Sequence, residues 1–239
     1  MIRAWISVAL LALTFQPATP DVALGWGVAV PALVRADPPS GAALRESPRT
    51  VDLLFSARLD AGRSFVSIIS DAMDLENGPA AVTGRGHDEL RAPLPTLPPG
   101  PYAVVWTAVT PEGAVAHRAY LFTVEPLGPP LLPNRPVDLT QQAAGFSVTL
   151  RAPSDRVAHQ TYTITFGAGG RPVDGARVDL TGRSLDMDMG ETTATARPAG
   201  RGRYVATLDV VMALDWQVTV TIHAGRRAAR AVFAYMAHY

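Results

Sequence analysis

Residues 102–109 read Tyr-Ala-Val-Val-Trp-Thr-Ala-Val, a run of β-branched, aromatic and small side chains between Pro101 and Pro111. This composition favours a β-strand, and proline at its ends favours turns. Eight other segments have the same character, whereas helical spacing of apolar residues is hard to find after residue 30. The predicted strands are residues 50–56, 64–70, 102–109, 118–124, 146–151, 161–166, 204–211, 216–223 and 228–235. The sequence therefore predicts an all-β protein.

A proline-rich segment separates the first four predicted strands from the last five. Residues 126–136 contain five prolines. Proline at this density cannot pair in a central strand and stiffens the chain towards polyproline II. We therefore predict two small antiparallel β-sandwiches in tandem, of the immunoglobulin-like or cupredoxin-like Greek-key type, over residues 30–125 and 137–239, with residues 126–136 as the linker.

Each half has a tyrosine two residues after a glycine, at the start of a long strand. The two segments are Gly100-Pro-Tyr102 and Gly202-Arg-Tyr204. Such a tyrosine can turn its hydroxyl back onto the preceding loop, as the tyrosine corner of immunoglobulin-like sandwiches does. The alternative is a coincidence between two common junctions of a turn and a strand.

The amino-terminal segment has the features of an export signal. Residues 4–15 form an apolar run that is too short to span a bilayer comfortably and fits the core of a signal peptide. Small residues at 27 and 29 predict a signal peptide over residues 1–29, with cleavage before Val30. An uncleaved amino-terminal anchor is the alternative. No later segment is apolar enough to span a membrane, so we expect a periplasmic protein that is soluble after cleavage.

Composition excludes several classes of function. The chain has 21 basic and 21 acidic residues and no cysteine, and every basic residue is arginine. Thiolate and lysine chemistry are therefore absent, and a net charge of zero argues against a nucleic-acid partner. No nucleophile elbow or metalloprotease motif occurs. We expect a protein that is not an enzyme and has no small-molecule substrate.

The first half resembles the CopC-like copper-resistance domain. Residues 33–44, LVRADPPSGAAL, and the strand at residues 51–56 are similar to the opening of that domain. Residues 97–113 are similar to its L-x-x-G-x-Y-x-V-x-W segment, and residues 118–124 to its closing strand. The resemblance covers about residues 30–125 and implies a β-sandwich that handles copper.

The second half resembles the YtkA-like, FixH-related β-domain. Its markers are Gly170-Arg-Pro-Val-Asp-Gly-Ala176, Met187-Asp-Met189-Gly190, Gly202-Arg-Tyr204 and the stretch from Met212 to Trp216. The resemblance covers roughly residues 140–223. Together the two resemblances imply a membrane copper-transport or oxidase-assembly protein as the partner.

The Cu(II) ligands of CopC-like domains are replaced in this sequence. By position, the family's amino-terminal histidine becomes Val30, its aspartate becomes Glu112 and its second histidine becomes Ala114. Nitrogen-rich ligation suits Cu(II), so the loss of both imidazoles predicts no tight Cu(II) site. Glu112 remains as a remnant of the site. His117 could partly substitute, and the alternative is a solvated histidine at a strand end.

Methionines are the remaining candidates for copper ligands. Met187 and Met189 flank Asp188, so in an extended segment both side chains would lie on one face. Met212 accompanies them in the YtkA-like pattern. Thioethers favour Cu(I) over Cu(II), but methionine also fills gaps in cores. Met236 and His238 form a weaker candidate, and Met73 stands alone.

Two hypotheses of function follow from these observations. The first is a periplasmic copper-binding or copper-delivery protein in copper resistance, delivery or uptake. The alternative is a metal-free structural or interaction module that docks on a membrane copper transporter or oxidase-assembly partner through an exposed strand edge.

Overall fold

The structure of the protein is a computed structural model that describes residues 29–70, 73–74, 80–127 and 133–239. The predicted signal peptide, except for Ala29, and residues 128–132 of the predicted linker lie outside these ranges. The described residues form strands and turns only, which confirms the all-β prediction. Within these ranges, no helix is long and apolar enough to span a membrane.

The first half folds into two facing sheets. Its strands are β1 (Leu33–Asp37), β2 (Ala43–Leu44), β3 (Thr50–Phe55), β4 (Phe65–Ser70), β5 (Met73–Asp74), β6 (Ala81–Thr83), β7 (Glu89–Pro93), β8 (Gly100–Val109) and β9 (Val115–Val124). One sheet has the order β1-β3-β7-β6 and the other β2-β9-β8-β4-β5. The strands pair antiparallel, except that β2 pairs in parallel with β9. Leu53, Leu90, Trp106 and Phe122 lie in the core between the sheets.

The second half repeats this arrangement with ten strands. They are β10 (Val137–Ala143), β11 (Phe146–Ala152), β12 (Ala158–Ala168), β13 (Arg171–Pro172), β14 (Arg177–Ser184), β15 (Thr192–Thr195), β16 (Arg197–Gly200), β17 (Arg203–Val210), β18 (Asp215–Ala224) and β19 (Arg227–Met236). One sheet has the order β10-β11-β12-β17-β16, with β13 beside β12, and the other has the order β15-β14-β18-β19. Strands distant in sequence pair with each other, such as β12 with β17 and β14 with β18, as Greek-key sandwiches require.

All nine predicted strands are present within a few residues of their predicted ends. The prediction does not include β10, β14 or the shorter strands, although β14 lies inside its sheet between β15 and β18. Gly182 interrupts the strand pattern of β14. A Cβ atom at Gly182 would lie 2.8 Å from Leu208 Cδ2 on the facing sheet and from Thr192 Oγ1 on the neighbouring strand, so the close packing around β14 favours glycine here.

Tyr102 forms the predicted hydrogen bond with the loop before its strand, whereas the hydroxyl of Tyr204 binds a different loop. The Tyr102 hydroxyl donates a hydrogen bond to the Pro98 carbonyl at 2.6 Å, in the loop that precedes its strand. The Tyr204 hydroxyl donates to the Val173 carbonyl at 3.2 Å and accepts from the Ala176 N–H at 3.0 Å. The second tyrosine therefore fastens an earlier loop, between β13 and β14, rather than the turn immediately before it.

The two halves pack against each other through the outer face of β8 and β9. Alternate side chains of a strand point to opposite faces of its sheet. One set, which includes Trp106 and Phe122, lies in the core of the first half. The other set lies in the core of the second half and consists of Ala103, Val105, Ala119 and Leu121. Both faces of β8 and β9 are therefore buried, and the two strands join the cores.

Candidate metal site

The contact between the halves, here called the seam, continues where β9 meets the segment after β14. The Ala119 N–H donates to the Glu191 carbonyl at 3.0 Å, and the Glu191 N–H donates to the His117 carbonyl at 3.3 Å. The Arg118 and Glu191 side chains form an ion pair with 3.2 Å between Nη1 and Oε2. These contacts hold the Ser184–Glu191 segment of the second half against β9.

An open cleft of about 630 Å³ lies on this seam. Its walls include Val115, His117 and Arg118 of β9, and also Met187, Asp188 and Glu191 of the second half. We call it the seam cleft. It brings nitrogen, oxygen and sulfur donors from two parts of the chain to one place on the surface.

Both ring nitrogens of His117 have polar neighbours that define the orientation of the ring. Its Nδ1 lies 2.8 Å from Thr107 Oγ1 and 3.2 Å from the Trp106 carbonyl oxygen, on the neighbouring strand β8. Its Nε2 lies 3.3 Å from Asp188 Oδ1. The ring is therefore held through one nitrogen, while the other nitrogen faces a carboxylate of the second half.

The expectation that Met187 and Met189 share one face is wrong. Met187 is 47% exposed and lines the seam cleft, whereas Met189 is 1% exposed and packs in the core of the second half. The segment is turned rather than extended. Ser184 Oγ accepts hydrogen bonds from the N–H groups of Asp186 and Met187, at 3.1 and 3.4 Å. The two thioethers consequently point into different environments.

The other methionine candidates have different surroundings. Met212 is partly buried against the core of the second half, and its carbonyl accepts a hydrogen bond from Trp216 Nε1 at 2.8 Å. This placement agrees with the packing alternative for Met212. Met236 is exposed at the end of β19, and His238 Nε2 lies 4.0 Å from Asp155 Oδ2.

The positions of the family Cu(II) ligands hold no imidazole. Glu112 is exposed in the turn between β8 and β9, and the Ala114 N–H donates to Thr110 Oγ1 at 3.2 Å. Val30 is 58% exposed and lines a second cleft, to which neither Glu112 nor Ala114 contributes. Within the described ranges, no three side chains of the His, Asp and Glu types converge to hold a metal ion.

The second cleft contains a charged pair that also connects the halves. His159 Nδ1 lies 2.6 Å from Asp209 Oδ1, and the Ser40 hydroxyl of the first half donates to Asp209 Oδ2 at 2.6 Å. The Asp209 side chain is buried. Its hydrogen bond to His159 raises the pKa of the imidazole, although partial burial opposes this shift. Asp209 therefore interacts with one side chain from each half, Ser40 and His159.

We expect this pair to lose its stabilising effect as the pH rises. The folded state raises the pKa of His159, so the stabilisation is fully present below the unfolded pKa of about 6.5 and is lost as the pH rises through the folded pKa. His159→Gln should remove this component. Denaturant unfolding of both proteins between about pH 5.5 and pH 8.5 measures it. A difference in stability that stays constant over this range would contradict the expectation.

Comparisons with known proteins agree with both resemblances. The CopC domain family matches residues 33–125, and the YtkA-like family matches residues 140–221. No curated protein matches the chain. Among solved structures, CopC from Methylosinus trichosporium OB3b is 27% identical, over 41% of this chain and 97% of that chain, with a TM-score of 0.38. PcoC, a methionine-rich copper resistance protein from Escherichia coli, is 25% identical, over 41% of this chain and 100% of that chain, with a TM-score of 0.36.

The order of the two matches is the order predicted from the sequence, and together they include the strands that build the seam. The chain therefore carries a CopC domain at residues 33–125, followed by a YtkA-like domain at residues 140–221.

Proposed function

We propose that this protein binds copper outside the cytoplasm and passes it on as cargo, without catalysing a reaction. The observation that carries the proposal is that the exposed thioether of Met187 and the imidazole of His117 line one open cleft, where a CopC domain meets a YtkA-like domain. Thioether and imidazole are both good ligands for copper. An open cleft also allows a partner protein to reach the bound ion.

The donors favour Cu(I) over Cu(II). Cu(II) prefers tetragonal sites with several nitrogen and oxygen ligands. Val30 and Ala114 cannot supply the imidazoles of such a site. A thioether is a soft ligand that prefers Cu(I), and it stays reduced more readily than a thiol in an oxidising compartment.

The predicted signal peptide supports export to the periplasm, and the domain pair supports a membrane copper-transport or oxidase-assembly protein as the partner. The alternative, a metal-free docking module, is favoured by β1. This strand is at the edge of its sheet and carries the exposed Val34, so a partner strand could pair with it.

Met187→Leu should weaken Cu(I) binding, whereas Met189→Leu should leave it unchanged. We expect a loss of about tenfold or more for Met187→Leu, since replacing groups that only support a ligand already costs roughly 10–100-fold. Met189 is the matched control because its sulfur is buried in the core and the change conserves volume. A competition titration with a Cu(I) chelator measures both affinities.

The same titration decides between the two functions. Equal Cu(I) affinities of the wild type and Met187→Leu would remove the thioether from the proposal. A wild-type protein that binds neither Cu(I) nor Cu(II) would favour the metal-free docking module.

A further inference from the structure

We propose that the seam cleft holds a mixed-donor copper site that spans the two domains. The imidazole of His117 comes from the CopC domain, and the carboxylate of Asp188 and the thioether of Met187 come from the YtkA-like domain. The inference rests on the proposed function for the identity of the metal. In this site, neither domain alone holds the complete set of ligands.

His117 and Asp188 lie at a distance that suits two ligands of one metal ion. First-row metal ions bind nitrogen and oxygen ligands at about 2.0–2.2 Å, so two ligands of one ion at 90–110° lie roughly 3.0–3.5 Å apart. His117 Nε2 and Asp188 Oδ1 are 3.3 Å apart. One ion can therefore bind both atoms with little movement of either side chain.

Hydrogen bonds to neighbouring residues orient both groups. Thr107 and the Trp106 carbonyl fix His117 through Nδ1, which is the arrangement that supports a metal-binding histidine. Asp188 Oδ1 also accepts a hydrogen bond from the Gly190 N–H at 3.2 Å. The Asp188 side chain is 88% exposed, so its carboxylate can turn towards an ion in the cleft.

The arginines that line the seam cleft interact with side chains other than Asp188. Arg118 also lines the seam cleft, and an arginine paired with Asp188 would compete with a cation. Arg118 instead forms its ion pair with Glu191, and Arg183 lies 3.4 Å from the Gln217 side-chain oxygen. Among the described residues, Asp188 forms its ion pair with His117 and not with an arginine.

Met187 completes the set with a soft ligand. It lines the same cleft, and its exposed side chain can change rotamer without disturbing the core. Imidazole and thioether suit Cu(I), and imidazole and carboxylate suit Cu(II). The site can therefore accept either ion, with the preference for Cu(I) set by Met187.

A site shared between domains links copper binding to domain contact. Copper that binds only when the two domains are in contact stabilises that contact. The free energy by which copper stabilises the contact equals the free energy by which the contact strengthens copper binding. A partner that opens the seam would therefore weaken the site and release the ion.

The test compares His117→Ala and Asp188→Asn with a histidine control in the full-length mature protein. His223→Ala is the matched control, because His223 is exposed on β18, interacts with a carboxylate of its own, Asp179, and lies outside the seam cleft. Asp188→Asn should fold like the wild type because the Asp188 side chain is exposed, so a loss of affinity in this variant cannot be a folding defect. We expect Cu(I) and Cu(II) affinities to fall about tenfold or more in both seam variants and to stay unchanged in His223→Ala.

Electron spin resonance of the Cu(II) form gives a second measurement. We expect nitrogen coupling in the wild type and in His223→Ala, and its loss in His117→Ala. If the wild type binds copper and both seam variants bind it equally well, the seam site is wrong while the proposed function stands. If the wild type binds no copper, both proposals fail.

Discussion

Gly190→Ala should separate the CopC domain from the YtkA-like domain. Gly190 has φ +72°, and a Cβ atom there would lie 2.8–2.9 Å from the N, Cα and C atoms of Arg118. Those atoms are backbone of β9, which pairs with β8 and β2 and cannot move aside without breaking its sheet. The added methyl group must therefore push the Ser184–Glu191 segment away from β9.

A control separates this clash from backbone strain. Gly175 has φ +74° with no atom within 4 Å of a Cβ built there, so Gly175→Ala introduces only the cost of a left-handed residue, about 1–2 kcal/mol. We expect Gly190→Ala to be the more destabilising change. It should also give a more extended particle by small-angle X-ray scattering and weaken copper binding. If its particle dimensions and copper affinity match those of Gly175→Ala, the close approach at the seam does not hold the domains together.

The sequence was sufficient to predict the fold because its signals are local. The strands at residues 102–109 and 118–124 follow from their composition, and the tyrosine corner at Tyr102 follows from the glycine two residues before it. Docking of the domains was missed, although β8 carries a sign of it. A strand buried on both faces is apolar at successive positions, and residues 103–106 are Ala-Val-Val-Trp.

The site could be predicted only in part because its residues meet through pairing across strands and domains. Met187 was predicted from its motif, and the structure places it in the seam cleft. The different environment of Met189 depends on the turn that Ser184 stabilises and on Gly190, which the assumption of an extended segment ignored. The orientation of His117 depends on Thr107, ten residues earlier, and its contact with Asp188 depends on domain docking.

Leu121→Asp should also open the seam, but it should leave the CopC domain folded. Leu121 is 2% exposed and packs in the core of the YtkA-like domain, although it belongs to β9 of the CopC domain. A carboxylate at this position would be buried without a partner, which costs several kcal/mol. Opening the seam returns the charge to water. We therefore expect the domains to separate rather than the CopC core to unfold.

Phe122, the next residue on β9, should give the opposite result, because its substitution should destabilise the CopC domain itself. Phe122 points to the other face of β9, is fully buried in the CopC core and stacks on Tyr102 with ring centroids 5.4 Å apart. Phe122→Ala should destabilise the CopC domain by about 3–5 kcal/mol. Its seam-facing neighbours, Ala119 and Leu121, are unchanged in this variant.

Denaturant unfolding together with small-angle X-ray scattering distinguishes the two variants. Leu121→Asp should give a more extended particle whose CopC domain still unfolds cooperatively, and Phe122→Ala should lower the midpoint of CopC unfolding. If Leu121→Asp unfolds the CopC domain as severely as Phe122→Ala does, the CopC sandwich depends on the YtkA-like domain for its fold. The seam would then be part of one continuous core, and copper release through its opening would require unfolding rather than domain movement.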